Sequence, residues 1–276
     1  MLKHVLVHIP SEQRVRPVID AAVSFAARQN AILNAISVGY ETAIVGFAME
    51  GGTAIAAAYD IERERAQVRA AAACELFEAE ARLAGVTSHY QAVTAMPSEA
   101  GELMAAAARM HDLTIVPQPD FDEDSHDNAT ALDIMMSSGG PTLFVPYTHQ
   151  GPLLMSRIGI AWDGGRLAAR AVRDAMPLLA GAASIHILSI NEQSAATASS
   201  AALSLHLNQH GLQARIERGT ADSNAVQPAL LSIAADCGLD LLVMGGYGHS
   251  RLQERILGGV TRSMLQAMTV PTLMSH

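Results

Sequence analysis

The chain contains one internal duplication, and no other feature narrows its possible folds as much. "HVLVHIP" (4–10) corresponds to "RIGIAWD" (157–163), and each is followed by an alanine-rich stretch of helical periodicity. "AILNAISV" (31–38) answers "ASIHILSI" (183–190), and "HDLTIVPQP" (111–119) answers "LDLLVMGGY" (239–247). Near the end of each half, "GGPTLFVPY" (139–147) matches "TVPTLMSH" (269–276), with a proline just ahead of the apolar run in both. The offset between halves is 153 residues at the first block and 128 at the third, Asp112 to Asp240. The first half is therefore the longer one. Its extra length falls in "GYETAIVGFAMEGGTAIAAAYDIERERAQ", read as a mobile or partner-covering loop leading into a long helix near 60–84.

Within each half, short β-branched runs alternate with helical stretches of ten or more residues. That alternation implies parallel strands joined by crossover helices, because parallel neighbours need a long return connection. Right-handed crossovers put helices on both faces of the sheet. The predicted fold class is α/β: two tandem Rossmann-like domains, each an open five-stranded parallel sheet with helices on both faces. The boundaries are 1–150 and 155–276, separated by the turn-rich "YTHQGPLLMS". Half of the 276 residues are hydrophobic and 16% are charged, so each half can bury a core of its own.

A net charge of −9 disfavours nonspecific binding to nucleic acid or to an anionic membrane surface. The first fifteen residues lack the apolar stretch of a secretory signal and no 18-residue apolar run occurs, so a cytoplasmic protein is expected. Cys74 and Cys237 lie in different halves, both in alanine-rich helical contexts, and read as small buried apolar groups.

Ligands of open α/β sheets sit outside the carboxyl ends of the strands, where strand order reverses. "MGGYGHSRLQERILGGVTRSML" (244–265) follows a strand of the second half at that kind of position. Gly245 and Gly248 let the chain turn out of the strand, and Gly258, Gly259, Val260 and Thr261 open the final helix. Bare backbone N–H groups at a helix start cradle anionic oxygens, helped by the helix dipole. Thr261 or Ser263 adds a hydroxyl nearby. No lysine follows the glycines as in a P-loop, and GxGxxG does not occur. Two helix caps without a ligand are the plainer explanation of the same residues.

Gly245, two residues, Gly248, nine residues, then Gly258-Gly259 resembles the glycine signature of the nucleotide-binding branch of the universal stress protein family. With the matching strand order in both halves, the chain resembles a tandem member of that family. The resemblance implies that Asp163 sits beside an adenine and that Ile190 lines it through backbone atoms. It further implies that Gly245 and Gly248 form the ribose and phosphate turn, with phosphates held at Gly258, Gly259, Val260 and Thr261. The implied ligand is ATP or a related nucleotide, with Mg²⁺, in the C-terminal domain. One departure is evident: the family places Ser or Thr where this chain has Gly259. In the first half Pro10 replaces the aspartate, the glycines are missing, and Asp120, Asp122, Glu123, Asp124 and Asp127 would repel phosphate. No nucleotide is expected there. Family domains pair through their last strands, so the two halves are expected to form an intrachain pseudo-dimer. A homodimer of such chains follows from exposed strand edges.

Other groupings read more plainly. The acidic run 120–127 lacks the glycine and closing glutamate of a calcium loop, so it is expected to be a solvated loop. His206 and His210 share a helix face but have no third ligand in sequence. Asp163 also suits the N-cap of the following helix. No nucleophile–base set or water-positioning base is evident, and catalysis is not expected. The leading function is regulatory nucleotide binding in a stress response. The alternatives are a nucleotide-independent interaction protein and, more weakly, a slow ATPase.

Overall fold

The computed structural model describes residues 2–41, 52–192, 198–246 and 259–276, with side chains described from residue 57 onward in the second of these segments. They form two compact units, Leu2–Ser138 and Gly139–His276.

The first unit runs β1 (His4–Ile9), α1 (Arg16–Gln29), β2 (Ile32–Tyr40), α2 (Gly52–Leu83), β3 (Ser88–Ala95), α3 (Pro97–Ala108), β4 (Leu113–Pro117) and α4 (His126–Ser137). Its strands lie in the order β3-β2-β1-β4, with every pairing between β1, β2, β3 and β4 that involves β1 or β2 parallel. Five consecutive residues of β1, Val5 to Ile9, are buried, which requires cover on both faces of the sheet. Pro17 lies in the first turn of α1, where its missing N–H costs nothing, and Asn30 ends the helix in the left-handed conformation at φ 51°.

The second unit runs β5 (Thr142–Val145), β6 (Arg157–Ala161), α5 (Arg166–Leu179), β7 (Ser184–Ile190), α6 (Ser200–Gln209), β8 (Ala214–Gly219), α7 (Val226–Asp236), β9 (Leu241–Gly245), α8 (Val260–Ala267) and β10 (Thr272–Ser275). Its strand order is β5-β10-β9-β6-β7-β8. All neighbours are parallel except β5 and β10, which run antiparallel with Leu143 opposite Leu273. These are the equivalent leucines of the two "PTL" segments, so the expected pairing of the two last strands is present.

Among the described residues, five strands fall in each half of the sequence. The compact units instead hold four and six, because β5 is hydrogen-bonded into the second unit's sheet through β10. The segment after β5 belongs to that unit too, with Leu153 and Met155 buried. The long helix also differs from expectation: α2 starts at Gly52, well ahead of residue 60, and absorbs much of the stretch read as loop. The rest of that loop, 42–51, lies outside the described residues.

The duplication is visible in one repeated hydrogen-bonding device. Asp112, just before β4, accepts the backbone N–H groups of Lys3 and His4 at 2.6 and 3.0 Å. Its counterpart Asp240, just before β9, accepts the N–H of Arg157 at 2.8 Å. In each unit a carboxylate thus ties the start of the central strand to its neighbour. Those two amide bonds hold the Asp112 carboxyl below its usual range. Among the described residues, no helix is long and apolar enough to cross a membrane.

Candidate functional site

In the second unit the chain steps outward from β6 to β7 to β8, then returns across β6 to β9. Strand order therefore reverses between β6 and β9, whose register pairs Ile158 with Leu241 and Ile160 with Val243. Continued along both strands, that register sets Trp162 beside Gly245. The β6–β7 register pairs Ala161 with Leu188, and the Trp162 N–H donates to Leu188 O at 2.9 Å. Asp163, Ile190 and Gly245 thus come together at the carboxyl ends of three adjacent strands.

Asp163 is exposed, and its Oδ1 accepts the Gly165 N–H at 2.7 Å. That two-residue turn fixes the carboxylate ahead of α5, whose N-cap is Gly165 and not Asp163 itself. Gly164 sits at φ +75°, in the left-handed region that favours glycine. The neighbouring Trp162 donates its indole N–H to Ala198 O at 2.9 Å. Gly245 is required by packing: a Cβ there would lie 2.7 Å from Ala168 N and 2.7 Å from Leu167 C, both backbone atoms of α5. Gly246 extends the ladder, its N–H donating to Ser275 O at 2.9 Å.

Ile190 turns its side chain onto the sheet face under α7, where a Cβ on Gly219 would meet its Cδ1 at 2.8 Å and Ile233 Cδ1 at 3.6 Å. The next residue, Asn191, takes φ +57° and grips Ala221 through two hydrogen bonds of 2.6 and 2.9 Å. Glu192 then accepts the backbone N–H and the hydroxyl of Ser200, and Arg218 Nε at 3.0 Å. The Ser200 bonds foremost, then Arg218, lower the Glu192 carboxyl below its usual range. Sequence reasoning passed over this cluster, which ties the start of α6 to the strand ends.

α8 opens at Gly259, with φ −55° and ψ 156° and no side-chain cap. Val260 is half-buried and Thr261 buried in the first turn. In a strand–helix–strand crossover the helix starts at the carboxyl ends of the strands, so Gly259, Val260 and Thr261 begin at the same end of the strands as Asp163 and Gly245. Gly248 and Gly258 lie outside the described residues.

The corresponding place in the first unit is filled from within the chain. At the start of α4, Ser125 Oγ accepts the Asp127 N–H at 3.2 Å and Glu12 Oε2 accepts the His126 N–H at 2.9 Å. Asp127 is not part of a solvated acidic loop, as the sequence suggested, but fully buried in the first turn of α4. The reason is its partners. Tyr40 donates its hydroxyl to Oδ1 at 2.8 Å, the Glu12 N–H donates to Oδ2 at 2.9 Å, and buried His8 Nε2 stands 3.2 Å from Oδ1. Burial, then the Asp127 charge, drives the Tyr40 hydroxyl far above its usual range. Residues 120–124 are largely exposed. His8 within the buried run Val5–Ile9 was the one sequence sign of this cluster. His206 and His210 meet edge to face, their ring centroids 4.8 Å apart, without a third metal-ligating group beside them among the described residues.

A parallel sheet with crossover helices, its strand order reversing between β6 and β9, defines an open α/β domain of the Rossmann-like class. Residues 155–276 match the model of the universal stress protein family, and this part of the chain is a universal stress protein domain. Over its full length the chain is similar to the crystal structure of a universal stress protein from Archaeoglobus fulgidus DSM 4304, with a TM-score of 0.72 and 14% identity, covering 98% of this chain and 97% of that one. It is also similar to a functionally unknown protein from Pseudomonas aeruginosa PAO1, with a TM-score of 0.58, 14% identity, and 99% and 92% of the two chains covered. The cytoplasmic domain of a prokaryotic cation chloride cotransporter aligns with a TM-score of 0.51 at 11% identity, covering 99% of this chain and 95% of that one. At such identities the likeness is one of fold. No curated protein matches the chain by sequence.

Proposed function

We propose that the unit Gly139–His276 binds ATP or a closely related nucleotide, with Mg²⁺, as a regulatory signal in a cytoplasmic stress response. The observation that carries this reading is the convergence of Asp163, the end of β7 at Ile190 and Gly245 at the strand reversal, with the start of α8, which has no side-chain cap, at the same end of the strands. The adenine would lie beside Asp163, whose carboxylate is already oriented by the Gly165 N–H. Phosphates would face the backbone N–H groups at Gly258, Gly259, Val260 and Thr261, where the helix dipole favours negative charge. Gly245 and Gly248 would shape the turn between them. The start of α4, already engaged by Glu12 and Ser125, supports a single nucleotide per chain. The Leu143–Leu273 pairing supports an intrachain pseudo-dimer of the two repeats, and copies of the chain would associate further as a homodimer.

A second reading, a nucleotide-independent interaction protein, is favoured by one observation. Ile61, Val68 and Leu76 are 49%, 60% and 45% exposed at near-heptad spacing on α2. Titration calorimetry with Mg²⁺-ATP, followed in parallel by the fluorescence of Trp162, separates the two. Micromolar binding that perturbs Trp162 and disappears in Gly248→Val upholds the nucleotide reading. No heat and an unchanged emission spectrum would sink it in favour of the α2 surface.

A further inference from the structure

We propose that His186, Glu217 and Cys237 form a binding site for one zinc-class divalent cation in the second unit, separate from the nucleotide site. The three side chains come from three elements: His186 from β7, Glu217 from β8, and Cys237 from the residue that ends α7. Parallel register puts His186 opposite Arg215 and Leu188 opposite Glu217, so His186 and Glu217 project from one face of the sheet. That face is the one α7 covers, as the packing of Ile233 over Gly219 shows. The helix end delivers the Cys237 thiol to the pair.

His186 Nδ1 lies 3.1 Å from Glu217 Oε1, and one ligand atom from each of the three residues falls within 4.8 Å of the others. Tetrahedral zinc, with bonds of about 2.0 Å to nitrogen and oxygen and 2.3 Å to sulfur, sets its ligands roughly 3.3–3.8 Å apart. The trio therefore needs only a small contraction around the thiol. His186 is buried while Glu217 is partly exposed, which leaves a fourth position for water on the open side. Imidazole, carboxylate and thiolate select zinc-like ions over magnesium or calcium, which take oxygen ligands.

Charge favours the same assignment. A carboxylate and a thiolate neutralise a dication; Asp236 adds a negative charge nearby and Arg215 subtracts one. The thiol proton leaves to solvent as the metal–sulfur bond forms. His186 precedes Ile190 by four strand residues, about 13 Å, so this site lies toward the opposite end of the strands from the nucleotide.

The test is a titration of the chelator-stripped full chain with Co²⁺ and then Zn²⁺, with no nucleotide present. The expected result is one Co²⁺ per chain with a thiolate-to-cobalt charge-transfer band, displaced by one equivalent of Zn²⁺. Cys237→Ala should abolish the band and weaken binding about a hundredfold or more, at least the upper end of what even an outer contact costs. Glu217→Gln should keep the band at lower affinity, and Cys74→Ala should change neither. A parent protein without stoichiometric Co²⁺ binding, or a Co²⁺ spectrum that survives Cys237→Ala, overturns the proposal. His186 and Glu217 would then be a hydrogen-bonded pair beside an inert thiol.

Discussion

Tyr40 donates its hydroxyl proton to Asp127 at 2.8 Å, with both side chains buried. The carboxylate also accepts the Glu12 N–H and stands against His8, so β1, β2 and the start of α4 meet on a single side chain. Truncating Asp127 removes the acceptor of the Tyr40 hydroxyl and the Glu12 N–H and leaves buried His8 without its carboxylate neighbour. Asp127→Ala should cost about 3–5 kcal/mol, read as a lower urea midpoint. Tyr40→Phe removes the hydroxyl that bridges Asp127 and Thr130 and should cost only about 1–2 kcal/mol.

At Gly245 the obstacle is backbone, which cannot swing aside as a flexible side chain would. Gly245→Ala forces α5 away from β9 and should destabilise the protein by about 1–3 kcal/mol, the usual range for overpacking. Thermal unfolding measured without ligand isolates this packing cost from any loss of nucleotide binding.

Burial pushes the Cys74 thiol from 9.0 up to about 11. Because the folded value lies above the unfolded one, the unfolded chain gives up this proton first as pH rises. The associated stability is intact below pH 9 and is lost as pH climbs toward about 11. Tyr40, raised in the same sense, adds to the loss once the ordinary tyrosine range is passed. Urea midpoints for the parent should fall across that window, and Cys74→Ala should flatten the decline.

Gly259 caps α8 at φ −55°, a conformation any residue adopts. Gly259→Ser restores the hydroxyl that the family pattern carries at that position. One added hydrogen bond to a charged phosphate, worth about 1.5–3 kcal/mol, should tighten Mg²⁺-ATP binding about tenfold or more. Calorimetry on both proteins checks it.

The parallel α/β class was legible because periodicity and repeat order are local signals, and the two "PTL" segments marked the strands that pair. The aspartates before β4 and β9 aligned in the repeat, although their amide partners did not show. Less legible were features made by distant partners. Asp127 read as one more acid in a polar run because nothing local announces Tyr40 or His8, which the sheet brings to it. Cys237 read as a small apolar group for the same reason: His186 lies 51 positions earlier and meets it only through the packing of α7 on the sheet. Gly245 was noticed as a ligand-shaping residue, yet its tight contact with α5 is a packing fact that a motif cannot express.

The antiparallel ladder between Thr142–Val145 and Thr272–Ser275 also decides where the polypeptide tolerates cutting. A fragment trimmed to the family match, beginning at residue 155, would lose β5 and bare one whole side of β10. Such a piece would have a hydrogen-bonding rim that the intact chain covers with its own earlier strand. Its self-association would then be an artefact of dissection, and a fragment beginning near Gly139 is the natural unit for dissecting this protein.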